Sequence, residues 1–179
     1  MEIKSIDKAI YRQRLTRVII GFILVLAVLS LVFGSVMISI FSEQGIKLTA
    51  IASQESNNFK YNLLGVILSL LACAAILNSL KNHAYFNEIY YVWQVKQIHN
   101  AIYRKLKHIK SAAFNDHNSI AIIVLSYYYA TLKQIYFLDD NTLTMSHVSQ
   151  EANKLQTLID ELSLDIDNET FDKSMINKI

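Results

Sequence analysis

Proline is absent from this chain, cysteine occurs once, and glycine occurs four times, as Gly21, Gly34, Gly45 and Gly65. From Val66 to Ile179 the usual chain punctuators are therefore missing, which favours long helices over sheet and turn. The same gap excludes a phosphate-cradling glycine loop and a G-x-S-x-G nucleophile elbow from the second half. A lone thiol cannot form an internal disulfide, and Cys73 has no neighbouring His or Cys to share a metal. It reads as a small packing residue.

Charge is missing just as selectively. Val18–Phe41 and Tyr61–Leu80 contain no Asp, Glu, Lys, Arg or His. At about 1.5 Å per residue each is long enough to cross the roughly 30 Å of hydrocarbon in a bilayer. In the first stretch 17 residues are Leu, Ile, Val or Phe. They favour insertion by roughly 5 to 10 kcal/mol before Ser and Gly are subtracted. The second is diluted by Asn62, Ser69, Asn78 and Ser79. Ionisable groups inside a span usually mark proton relays and ion paths, so their absence argues against a pump or coupled transporter.

What is present sets a direction. Lys4, Lys8, Arg12, Arg14 and Arg17 precede the first stretch, and Lys81, Lys96, Arg104, Lys105, Lys107 and Lys110 follow the second; between them lie only Lys47 and Lys60. The positive-inside rule then predicts both termini in the cytoplasm. The domain plan is a basic segment 1–17, a first transmembrane helix 18–41, a short external loop 42–60, a second transmembrane helix 61–80, and a cytoplasmic helical domain 81–179 with an acidic tail. Phe59 and Tyr61 suit the outer interface, and Tyr85, Phe86, Tyr90, Tyr91 and Trp93 the inner one. The first apolar run is longer than the 7–15 residues of a cleaved signal core, and Ile38-Ser39-Ile40-Phe41 offers no A-x-A-like site. The sequon Asn168-Glu169-Thr170 is void on a cytoplasmic tail. Small residues at four-residue spacing, Ser30 and Gly34, Ser35 and Ser39, then Gly65, Ser69 and Cys73, predict close helix packing in a hairpin or an oligomer.

Three further helices are expected. The first spans about Ala84 to Ala113, with a kink at Asn82-His83. The second spans about Ser119 to Leu138 with Ser119 as N-cap; Ile120–Leu125 alone would also suit a strand. After the turn Asp139-Asp140-Asn141-Thr142, Thr144 caps the third, with Leu143 and Val148 as hydrophobic staple. Val148, Ala152, Leu155, Ile159 and Leu162 form a narrow seam suited to a partner helix. The expected fold class is all-α: a two-helix transmembrane hairpin followed by a cytoplasmic antiparallel bundle of about three helices.

Charge divides within that bundle. Lys81 to Ala113 carries six basic residues against Glu88, and Asp139 to Asp172 carries nine acidic residues against Lys154. Either the two segments face each other, or the basic face meets anionic lipid at about 1 kcal/mol per cation. A helix pointing straight away from the bilayer would carry Arg104 roughly 35 Å from it, so lipid contact needs that helix to lie along the surface. Catalytic signals are missing: His83, His99, His108, His117 and His147 are scattered, without H-E-x-x-H. Asp140, Thr142, Thr144, Ser146 and Glu151 imitate an EF-hand spacing, but Met145 stands where that loop needs glycine.

Tyr11-Arg12 and Arg17-Val18-Ile19-Ile20-Gly21, then Tyr90-Tyr91-Val92-Trp93, Ile102-Tyr103-Arg104-Lys105-Leu106 and Leu138-Asp139-Asp140-Asn141-Thr142-Leu143 carry a resemblance. Over nearly its whole length the chain resembles a family of uncharacterised bacterial inner-membrane proteins, a domain of unknown function. The resemblance implies an inner-membrane location and brings no activity, cofactor or catalytic residue.

The sequence thus predicts a non-enzymatic, membrane-anchored interaction or scaffold protein. It needs no cofactor, metal or nucleic acid, and its partners are the lipid bilayer and a protein or a second copy of itself. The alternatives are an accessory subunit of a membrane enzyme or transport assembly, and an anionic-lipid surface sensor. Candidate contacts are Tyr90, Tyr91, Trp93, Arg104, Lys105, Lys107 and Lys110.

Overall fold

The computed structural model describes residues 2–46, 58–141, 143–166 and 171–179. The external loop lies mostly outside them, as do the sequon and Thr142 of the EF-hand-like spacing. Among the described residues there are helices and no strands: α1 Lys8–Ile46, α2 Phe59–Leu80, α3 Asn87–Phe114, α4 Ser119–Leu138 and α5 Met145–Glu161, with 3-10 turns at Ala84–Phe86 and Lys173–Asn177. Two compact units result, one of Gln13–Asn87 and one of Met1–Arg12 with Glu88–Ile179.

In the first unit α1 and α2 run antiparallel. Ser30 and Ser69 hydroxyls lie 2.8 Å apart, and the Phe41 and Tyr61 rings stack at 6.0 Å. Between those pairs the two backbones meet at Gly34 and Gly65. A Cβ on Gly65 would stand 2.5 Å from the Gly34 nitrogen, whereas one on Gly21 would meet nothing within 4 Å. Of the small residues, Ser30 and Gly34 thus meet Ser69 and Gly65 between the chain's own helices, whereas Ser35 and Ser39 are exposed. Apolar side chains cover the outside, Leu24, Val28 and Leu31 each being at least 60% exposed. α2 stops at Leu80, and extended His83, whose ring accepts the Tyr85 N–H, separates it from α3. The kink expected at Asn82-His83 is thus a full break.

The second unit is centred on α4. Ala121, Ile122, Val124, Leu125, Tyr127 and Thr131 are buried on several sides of it, as befits a helix apolar nearly all round. α3 crosses it antiparallel: His99 Nε2 lies 2.7 Å from Thr131 Oγ1, and Lys96 reaches Asp139. α5 packs along another side through Val148, Leu155, Leu158 and Ile159. Phe171 stacks on Tyr127 at 3.9 Å and closes a third side. The seam read as suited to a partner helix is thus occupied within the chain.

Residues 2–12 belong to this unit rather than forming a solvated flank. The Lys4 N–H donates to the Tyr91 hydroxyl at 3.0 Å, and Gln134 Nε2 donates to the Lys4 carbonyl at 2.6 Å. Tyr11 is buried, and Lys8 and Arg12 both pair with Asp140.

Two local expectations need correction. Asn118, not Ser119, caps α4, its Oδ1 accepting the Ile120 and Ala121 N–H groups. Thr144 flanks α5 without a side-chain cap bond, and Leu143 is 92% exposed, so no staple forms with Val148. Without glycine the helix exits use other residues at positive φ: His117 at 50°, Asp140 at 57° and Ser163 at 49°. The amide after each reaches back to a carbonyl of the preceding helix: Asn118 to Ala112, Asn141 to Tyr136, Leu164 to Ile159. These are the tight C-terminal closures that glycine ordinarily serves.

Candidate functional site

α3 separates two faces. Tyr91, Val92, Val95, Ile98, Ile102 and Ile109 point into the core. At complementary helical phase, Trp93, Gln97, Asn100, Arg104, Lys107 and Ser111 are exposed, flanked by exposed Tyr103 and His108. No acidic residue lies on this outer face; the helix has only Glu88, in its first turn.

The seven residues singled out from sequence divide along that line. Trp93, 54% exposed, stacks on half-buried Tyr90 at 5.6 Å, and Arg104 and Lys107 are exposed. The other three serve the fold. Tyr91 is buried and holds Lys4, so its ring is not a surface contact. Lys105 Nζ donates to the Ile176 carbonyl at 2.8 Å. Lys110 lies 2.5 Å from Glu151 and stands over the Tyr129 ring. Hydrogen bonds from Lys110 and Lys154 hold the Glu151 carboxyl down at about 2. Basic α3 and acidic α5 therefore do meet, at Lys110–Glu151, while Arg104 and Lys107 have no ion pair among the described residues.

Sequence reading passed over Tyr103, 70% exposed beside this face. Tyr103 follows His99 by one helical turn, yet the two part company. His99 is buried, and burial pulls its imidazole down to about 4. Thr131 Oγ1 gives its single proton to the Tyr127 carbonyl at 2.6 Å, so His99 Nε2–H is the donor to Thr131. This is a satisfied core histidine, and among the described residues no carboxylate bonds to it to make a proton relay.

Other features offer little chemistry. Among the described residues no three His, Cys, Asp or Glu side chains converge as a metal set; Glu151 and Asp140 of the EF-hand-like spacing are engaged by lysines and an arginine. In the α1–α2 unit, a cleft of about 200 Å³ is lined by apolar side chains such as Val18, Phe22, Ile76 and Leu77, with Gly21 and Cys73. It presents no acid, base or polar nucleophile beyond that one thiol.

A protein family of unknown function, DUF3087, matches residues 1–176. The chain belongs to this family. No curated protein and no solved structure matches it. Three helices of this DUF3087 member are long and apolar enough to cross a membrane, within 8–41, 59–80 and 119–138. They differ in packing: the most apolar windows are 6%, 17% and 50% buried respectively.

Proposed function

We propose that this protein is a membrane-anchored, non-enzymatic interaction or scaffold protein. α1 and α2 cross the bacterial inner membrane as an antiparallel hairpin, and α4 stays out of the membrane as the centre of a helical domain. The degree of burial supports this division. The outer surfaces of α1 and α2 are apolar, as lipid requires, whereas α4 spends its apolar residues on its own domain.

The observation that carries the reading is the docking of residues 2–12 onto the unit of residues 88–179, through Tyr91, Gln134 and Asp140. A hairpin whose two ends feed one compact unit has both ends on the same side of the bilayer. The basic residues flanking the apolar stretches favour the cytoplasm as that side. The surface offered to a partner is the outer face of α3, where Trp93, Arg104 and Lys107 are exposed.

Reporter fusions test the topology. A fluorescent protein that matures only in the cytoplasm should light up when fused before residue 2 or after residue 179. Alkaline phosphatase inserted within 47–57 should be active. Phosphatase activity at either terminal position overturns the arrangement. For the interaction role, photocrosslinkers placed in cells at 100, 104 and 107 should give discrete adducts, with a lipid or a protein. A bare α3 face alongside adducts elsewhere on the domain would reject it.

A further inference from the structure

α3 follows α2 after a connection of six residues, 81–86. Fully extended, six residues span roughly 20 Å. The start of α3 is therefore tethered near the end of an apolar helix, and Trp93 lies about 9 Å along α3 from its first residue. Whatever the exposed face of α3 binds must compete with the membrane surface to which the chain itself ties it.

That face has the chemistry of a leaflet contact. Arg104 and Lys107 share an exposed side that carries no carboxylate, and no acid among the described residues neutralises them. The other cations of the helix are spent: Lys96 on Asp139, Lys105 on the Ile176 carbonyl, Lys110 on Glu151. Trp93 rests against Tyr90 with over half its surface in solvent, an amphipathic ring of the kind that favours the headgroup layer. Two cations are too few to hold nucleic acid against salt, and the chain's formal charge is only +2. For a tethered surface they suffice, because a tether replaces bimolecular binding with a high effective concentration.

We infer that the outer face of α3, through Trp93, Arg104 and Lys107, lies on the phosphate headgroups of an anionic leaflet. This rests on the proposed anchoring and names the partner of the same face. Attraction to anionic lipid is screened by salt within a Debye length of about 8 to 10 Å, so the contact reports both lipid charge and ionic strength.

Trp93 is the chain's only tryptophan, so the unmodified protein carries its own probe. The full chain is incorporated into nanodiscs of phosphatidylcholine alone or with 40% phosphatidylglycerol, and Trp93 is followed by emission maximum and iodide quenching. Anionic discs should shift emission to the blue and lower the quenching constant at least twofold, and 0.5 M NaCl should reverse the shift. Arg104→Gln with Lys107→Gln should abolish the lipid dependence while leaving the helical circular dichroism unchanged. As iodide is itself an anion, acrylamide quenching must show the same change.

Three outcomes overturn the inference: Trp93 exposure equal in both discs, a lipid effect that survives the double substitution, or protection on neutral discs produced equally by a soluble acidic polypeptide. If the chain fails to enter discs at all, the anchoring falls, and the inference with it. Entry without lipid dependence rejects only the leaflet contact.

Discussion

Arg12 pairs with Asp140, fastening the first turns of α1 to the end of α4. Lys8 shares the same carboxylate. Asp140 also sits at φ 57°, a conformation that Asn tolerates and Ala does not. Asp140→Asn should therefore remove the charge alone, costing about 1 kcal/mol because the pairs are half-exposed. Hydrogen exchange should quicken at residues 8–12 and stay unchanged at the centre of α4. Asp140→Ala adds backbone strain of about 1 to 2 kcal/mol. Equal unfolding midpoints for the two variants would contradict this.

Gly65→Ala and Gly21→Ala should have opposite effects. The first drives a methyl into the Gly34 backbone, so α1 and α2 must separate; the second places it in open space. In detergent, Gly65→Ala should lower the unfolding temperature, while Gly21→Ala should hold or raise it, with up to about 1 kcal/mol from helix propensity. A cysteine pair at Ser30 and Ser69, in a background with Cys73→Ala, should crosslink readily in the parent and poorly with Gly65→Ala.

His99 sets a pH window. Its folded value of about 4 lies below its ordinary 6.5 because burial disfavours the cation. The unfolded chain binds the extra proton, so stability is full above about pH 6.5 and falls as pH drops toward 4, by on the order of 3 kcal/mol. His99→Gln keeps an N–H for Thr131 and removes the titration. Its thermal midpoint should be flat between pH 6.5 and 5, where the parent's declines. Glu151 acts lower: its value is depressed, so its contribution is lost below about pH 4.5.

Ser163→Gly should stabilise. Ser163 closes α5 at φ 49°, where a side chain costs about 1 to 2 kcal/mol and glycine little. After glycine's extra unfolded-state entropy, about 0.5 to 1 kcal/mol should remain. His117→Gly should behave alike. A lower denaturation midpoint for both would show that other contacts hold those turns.

Much of the helical plan was legible because apolar periodicity is a local property. α4 begins and ends at Ser119 and Leu138 as read, since an apolar run bounded by polar residues leaves little choice. Its cap was misplaced by one residue: Asn118 and Ser119 both cap well, and only the backbone angle separates them. The seam from Val148 to Leu162 reads as suited to a partner helix, but a stripe does not say whose helix covers it, and Leu162 at its end is exposed. Tyr91 was separable from Tyr90 in advance, because it shares the helical phase of Ile98, Ile102 and Ile109. The docking of residues 2–12 was hidden because their charges look like an ordinary flank, and the signal was the apolar Ile3 and Tyr11 among them.

The grip on Lys4 has a consequence for how this segment can drift. Tyr91 takes its amide hydrogen and Gln134 its carbonyl oxygen. Both bonds go to groups that nearly every amino acid carries, and proline alone lacks the first. The domain thus recognises position 4 chiefly by its peptide, and the Lys4 ammonium adds a cation–π contact 5.7 Å from the centre of the Tyr91 ring. A lineage could exchange Lys4 for most residues other than proline and keep both bonds to the peptide, losing only the contact of its ammonium with the Tyr91 ring.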